Sequence, residues 1–183
     1  MLQKDLKLIL GEIETVLSQV NEDEVSALAE AIVGAKRVVT AGAGRVGLAT
    51  KGFAMRLGHL GLRAYALGDM TVPGIGKEDL LLVASGSGET PTIAHIVEIA
   101  KKSGARVALL TANRDSRMGK QADLVVLILA PSKTAPVGRR SAQPMTTLNE
   151  QCLSIFFDAL VLQLMNTMGE THETMWARHS NLE

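Results

Sequence analysis

Cysteine occurs once in this 183-residue sequence, at Cys152, which excludes an internal disulfide and fits a reducing compartment. Aromatic residues are nearly as scarce: one tryptophan, one tyrosine and three phenylalanines. Since 46% of the residues are apolar, the core must be built from Leu, Val, Ile, Ala and Met. Neither charge is in surplus, 19 Lys and Arg balancing 19 Asp and Glu, so nothing advertises nucleic-acid binding. No apolar run reaches the length of a membrane span. The stretch Met1 to Leu10 sets Lys4 and Lys7 among its apolar residues, unlike the continuous core of a signal peptide. The four histidines show no metal-ligand spacing, and no repeat is visible. These absences predict a soluble cytoplasmic protein that binds no nucleic acid, no membrane and no metal. Its length suits one domain with a sizeable core.

The apolar pattern gives the organisation. Leu2, Leu6, Ile9, Ile13, Leu17 and Val20 recur at helical spacing. Asn21 opens a second helix, with Glu24 three residues on as a capping-box partner and Gly34 after its end. Strand-like runs follow at Arg37 to Thr40, Leu62 to Leu67, Leu80 to Ala84, Arg106 to Leu110 and Leu124 to Leu129. They lack strict alternation, which fits parallel strands buried on both faces. Helical segments at Leu48 to Leu60 and Ile93 to Lys102 separate them as βαβ crossovers would. The reading is a single α/β domain, a three-layer α/β/α sandwich around a five-stranded parallel sheet. Helices fill residues 1–34, the α/β core spans 35–130, and further helices fill 145–183. Asp69 to Asp79 reads as a loop near the site, and Pro131 to Pro144 as a second loop, basic at Lys133, Arg139 and Arg140. The long helix from Thr146 to Met168 is apolar on more than one side, which predicts burial against another subunit.

Two strand-to-helix turns carry the chemistry. After the third strand comes Ser85-Gly86-Ser87-Gly88-Glu89-Thr90-Pro91. Small residues let several N–H groups converge, hydroxyls add donors, and a helix start adds its dipole, together making a seat for a phosphate. A plain helix N-cap explains Thr90 and Pro91 but not the alternating Ser-Gly before them. Beside a phosphate Glu89 is unexpected; it either faces away or binds a sugar hydroxyl. After the first strand, Gly42-Ala43-Gly44-Arg45-Val46-Gly47 matches G-x-G-x-x-G. That turn fits a dinucleotide site, a bare tight turn, or a loop that points Arg45 into a cleft shared with the serine loop.

These turns resemble those of the SIS (sugar isomerase) domain family. The stretch Phe53 to Gly61, then Gln143-Pro144-Met145, Glu150-Gln151 and the ending Arg178-His179-Ser180-Asn181-Leu182-Glu183 resemble its 6-phospho-3-hexuloisomerase group over nearly the whole chain. The resemblance implies a flavodoxin-like fold, a homotetramer, no cofactor, and interconversion of 3-hexulose 6-phosphate and fructose 6-phosphate in the ribulose monophosphate pathway. It carries the phosphosugar loop to Ser85, Gly86, Ser87, Gly88, Glu89 and Thr90, and the proton acceptor to Glu150. The chain departs from the family pattern at Val46, where a serine is usual, at Asp69, where a glutamate is usual, and at Asn149, where an aromatic is usual.

Moving a carbonyl between adjacent carbons needs one base and a second group that handles the enediolate oxygens. Glu150 is the candidate base, against the alternative of a first-turn glutamate that only favours the helix dipole. His59 and His179 are candidates for the proton relay, Arg45 for the phosphate or enediolate, and Val46 lies beside it. Trp176, Met175 and Leu182 are expected to anchor the terminal segment on a neighbouring subunit. His95 and His172 read as surface residues. Three alternatives stay open: an isomerase of another phosphosugar, a non-catalytic phosphosugar-binding module, and a small dinucleotide-binding protein.

Overall fold

The computed structural model describes residues 1–132 and 140–182. Lys133 and Arg139 of the second loop, and Glu183, lie outside the described residues. Five strands form one parallel sheet: β1 (Arg37–Ala41), β2 (Ala64–Ala66), β3 (Asp79–Ala84), β4 (Arg106–Thr111) and β5 (Leu124–Leu127). Their order is β2-β1-β3-β4-β5. The central strand β3 is buried at every residue, as its unbroken apolar run requires. Its side chains alternate: Leu80, Leu82 and Ala84 enter one core, and Leu81 and Val83 enter the other.

On the first face lie α1 (Leu2–Leu17), α2 (Glu22–Gly34), α3 (Gly44–His59) and α5 (Thr147–Met168). The other face is covered by α4 (Pro91–Lys102), with Met118, Val72 and Ile75 from the connections. Thus the 67–78 loop packs against the second core and does not line the cleft described below. The β4–β5 connection is a series of turns without a helix. The crossovers β1–α3–β2 and β3–α4–β4 run in opposite directions and occupy opposite faces.

Two expectations change. Asn21 does cap α2, its Oδ1 accepting the N–H groups of Asp23 and Glu24 at 2.8 and 3.3 Å. Glu24, however, does not turn back to close a capping box. Its carboxylate accepts the Leu127 N–H at 2.9 Å and pairs with Arg114, satisfying a donor on the edge strand β5. The all-round apolarity of α5 has an internal cause as well. The helix packs against α3, α1 and α2, and Leu148, Leu153, Phe157, Leu160 and Leu164 are buried in the chain's own core. Length and composition alone would let this helix cross a membrane. Cys152 sits in its buried face, where burial first and the charge of Glu12 second push its thiol up to about 11.

A further difference concerns the carboxyl-terminal segment, which includes the short α6 (His172–Trp176). It anchors on its own chain. Arg178 forms a two-pronged pair with Glu170 at 2.7 and 2.9 Å and donates to the His59 carbonyl at 2.9 Å. Met175 packs on the first core, whereas Trp176 and Leu182 stay exposed.

One ion pair ties the amino-terminal ends of β1 and β3. Arg37 donates to Asp79 from Nε and Nη2 at 2.8 and 2.7 Å, and Asp79 also accepts the Gly76 N–H. The Arg37 hydrogen bonds, helped by Gly76 against opposing burial, hold the Asp79 carboxyl below its ordinary 3.8. Arg37→Met leaves a buried carboxylate without its cation. Urea denaturation of that variant is expected to show a loss of about 2–3 kcal/mol, below the figure for a fully buried pair because the guanidinium is partly exposed. In the parent protein this contribution is present above pH 3.8 and is lost as pH falls through the lower folded value, so the stability difference between the two proteins should shrink there.

Candidate active site

The reversal of winding between β1 and β3 leaves a crevice at their carboxyl ends, where ligands of doubly wound sheets bind. There a cleft of ≈ 390 Å³ opens between the β1–α3 turn, the β3–α4 loop and the start of α5. The first turn is tight: a Cβ on Gly47 would lie 2.7 Å from the Gly42 carbonyl oxygen. Helix α3 accordingly starts at Gly44, a turn earlier than its apolar spacing predicts, and Arg45 and Val46 fall in its first turn on the cleft wall.

The β3–α4 loop forms a cradle. Ser85 Oγ accepts the Gly88 N–H at 3.2 Å and lies 3.3 Å from Thr90 Oγ1. Thr90 occupies the N-cap of α4 ahead of Pro91 yet makes no capping bond with its side chain. The Thr92 and Ile93 N–H groups therefore receive no acceptor from it, as a simple cap would supply. Ser85, Gly86, Ser87 and Thr90 line the cleft. Gly88 and Glu89 do not, a correction to their expected place. Gly88, at φ +66°, backs onto Ser116, whose Oγ a Cβ would meet at 2.0 Å. The Glu89 carboxylate turns away to accept the Arg117 N–H at 2.7 Å.

Opposite the cradle, α5 begins with the carboxylate of Glu150, whose side chain is 14% exposed. Its Oε2 pairs with Arg45 Nη1 at 2.8 Å, and its Oε1 accepts the Thr146 hydroxyl at 2.8 Å. Arg45 also reaches Thr147 Oγ1 at 3.4 Å, and that hydroxyl donates to the Pro144 carbonyl at 2.7 Å. Met145, between them, takes the left-handed region at φ 56° and lines the cleft. The segment before it is latched to α1 by Glu12, which accepts from Ser141 Oγ, the Ala142 N–H and Gln143 Nε2 at 2.9, 2.8 and 3.0 Å. Burial acts to raise the Glu12 pKa, but the bonds from Gln143, Ala142 and Ser141 outweigh it and hold the carboxyl below its ordinary 4.5.

His59 and His179 stand together, ring centroids 5.3 Å apart, with Trp176 stacked on His179 at 4.9 Å. They do not meet Glu150 within one chain. His59 ends the helix whose first turn carries Arg45, the partner of Glu150, so at about 1.5 Å per residue it stands roughly 21 Å from Arg45 along the axis. His95 is exposed near Glu98, and His172 stacks on Trp176. No three His, Cys, Asp or Glu side chains gather as metal ligands among the described residues. A dinucleotide phosphate at the α3 start would meet the Arg45–Glu150 pair, which lines the cleft there.

Sequence reasoning missed Thr146, Thr147, Ser132 and Glu12, and it noted Asn149 only as a departure. Thr146 carried a signal, standing four residues before Glu150 on one helix face. Glu12, far away in sequence, carried none.

A profile of the SIS domain matches residues 31–168. The chain is 41% identical over 176 residues to a 3-hexulose-6-phosphate isomerase of Bacillus subtilis, covering 96% of this chain and 95% of that one. It is 42% identical over 179 residues to a 3-hexulose-6-phosphate isomerase of Mycobacterium gastri, covering 98% and 90%. Among solved structures, a hypothetical protein of Methanococcus jannaschii, described as inferring a 3-hexulose-6-phosphate isomerase function, superposes with a TM-score of 0.86. It shares 28% identity, over 98% of this chain and 99% of that one.

Glu12→Ala strands the donors of Ser141, Ala142 and Gln143. Amide exchange at residues 141–143 is expected to accelerate at least about tenfold while that of β3 is unchanged. The latch should loosen in the parent protein too as pH falls below 4.5 through the lower folded value. Unchanged exchange in the variant would show that another contact holds this segment.

Proposed function

We propose, on the premise that this chain belongs to the SIS-domain family, that it interconverts 3-hexulose 6-phosphate and fructose 6-phosphate. The observation that carries this reading is one cleft holding both a half-buried, oriented carboxylate and an uncapped helix start faced by serine and threonine hydroxyls. The phosphate sits on the Ser85–Thr90 cradle, held by hydroxyls and first-turn N–H groups. The sugar chain then extends toward Glu150.

Glu150 takes the proton from C2 of the 3-ketose, and the electrons pass to the C3 oxygen to give an enediolate. A proton moves from the C2 hydroxyl to the C3 oxygen, and Glu150 returns its proton to C3, leaving the carbonyl at C2. The change is internal to the sugar, and no cofactor enters it. Arg45, Thr146 and Thr147 orient the carboxylate, and the exposed part of the Arg45 guanidinium stabilises the developing oxyanion.

In this reading His59 and His179 relay the proton between oxygens from a neighbouring subunit, since their own cleft lies a helix length away. A groove of ≈ 670 Å³ between α3 and α5 supports it. Leu48, Met55 and Ile155 line this groove and are exposed, and it shares Arg45 and Glu150 with the cleft. The assembly is a homotetramer, located in the cytoplasm and acting in the ribulose monophosphate pathway. A second reading, an isomerase of a different phosphosugar, is favoured by Val46 and Asn149 on the cleft wall.

Purified protein is expected to convert 3-hexulose 6-phosphate to fructose 6-phosphate, and proton NMR in D₂O to show loss of the transferred C–H signal. Glu150→Gln should lower turnover at least about a hundredfold with little change in fructose 6-phosphate binding. Activity on a different phosphosugar alone would replace the main reading with the second. Mixing and reassociating Glu150→Gln with His59→Ala protein should restore activity, because hybrid assemblies then contain clefts with both groups intact. No recovery would confine each site to one chain.

A further inference from the structure

We infer that Asn149 is a specificity-determining residue that reads a hydroxyl-bearing carbon of the sugar through its carboxamide. The assignment rests on the isomerase reading above for the identity of the sugar. It starts from an imbalance in the interior. Eight polar or charged residues are buried among the described residues, and Asn149, 2% exposed, is one of them. The others are engaged. Thr40 and Thr50 donate to backbone carbonyls, Asp79 meets Arg37, Ser85 holds the Gly88 N–H, and His59 is in ring contact with His179. Thr111 donates to the Gly86 carbonyl, and Ser116 accepts the Gly119 N–H. Among these eight residues the Asn149 carboxamide alone has no hydrogen-bond partner; elsewhere, among the described residues, Ser132 Oγ and Gln151 Oε1 are buried without one.

An unpaired buried amide costs stability that an apolar side chain of the same size would not. Native interiors pair nearly all such groups, so an amide left unpaired on the wall of a cleft points to a ligand. Its placement agrees. Asn149 lines the cleft, and its carboxamide lies across the Gly86 Cα: a Cβ there would stand 3.0 Å from Oδ1, 3.2 Å from Cγ and 3.3 Å from Nδ2. The absence of a side chain at Gly86 is thus what admits the amide between the phosphate cradle and Glu150.

The chemistry of the group selects what it reads. The phosphomonoester of a sugar is mainly a dianion at neutral pH and offers acceptors only, so it would satisfy Nδ2 and confront Oδ1. A hydroxyl both donates and accepts, and it can satisfy both ends of a carboxamide, alone or with a neighbouring oxygen. Asn149 therefore adds to the binding of a phosphosugar, whose hydroxyl-bearing carbons extend past the cradle to the amide, whereas the Ser85–Thr90 cradle serves a phosphosugar and inorganic phosphate alike.

Calorimetry of the full chain with inorganic phosphate, fructose 6-phosphate, glucose 6-phosphate and arabinose 5-phosphate tests this assignment. Asn149→Leu, close in volume and unable to hydrogen-bond, should cut the preference for the favoured phosphosugar over inorganic phosphate about tenfold. Phosphate affinity should stay within about twofold, and the melting temperature should be equal or higher. Asn149→Ser, which keeps a polar group on a shorter arm, should fall between. An unchanged preference in both variants overturns the assignment, as does equal loss of phosphate and sugar binding or a parent protein with no preference for any sugar. Failure of the isomerase reading appears separately, as a parent protein that binds a phosphosugar but does not convert 3-hexulose 6-phosphate.

Discussion

Everything at the cleft depends on one topological constraint, the reversal of winding between β1 and β3. Because a right-handed crossover must turn each helix onto a particular face, α3 and α4 are sent to opposite sides of the sheet. Their amino termini are then left at the same end, on either side of a gap that no crossover fills. Both bring partial positive charge and unpaired N–H groups to it. The cradle at the β3–α4 loop is thus a product of chain topology first and of side chains second. The serines and glycines only refine a field that the sheet order already creates.

The third wall comes from α5, and it shows how one helix serves two ends. Most of its length is packed against α3 and α1. That rigidity holds Glu150 in place at its first turn, where the carboxylate would otherwise be free to rotate. Arg45 and Thr146 each take one of its oxygens, and Thr147 links the Arg45 guanidinium to the turn at Pro144. The geometry of the carboxylate is therefore set from two helices at once.

Much of this was legible in the residues, for identifiable reasons. The strand runs announce themselves because a strand buried on both faces must be apolar throughout, as Leu80 to Val83 is. The Ser85–Thr90 loop is legible because the residues that shape it are neighbours in sequence. What was not legible depends on contacts between distant segments. Glu24 looks like half of a capping box, and nothing nearby in sequence shows that an edge-strand N–H will claim it. Glu89 belongs to the loop by position but turns outward to Arg117. His59 and His179 could be named from the family pattern, yet only the length of α3 reveals how far they stand from Glu150. Asn149 shows its significance only when Gly86 is seen beneath it.

The latch at Glu12 has a practical side. Helix α1 looks like an appendage laid over the outside of the domain, the sort of element that is trimmed or fused to a purification tag without thought. Through Glu12 it grips residues 141–143, and those lead directly into the turn that presents Glu150. A handle added at the amino terminus is therefore mechanically connected to the wall of the cleft that carries Glu150.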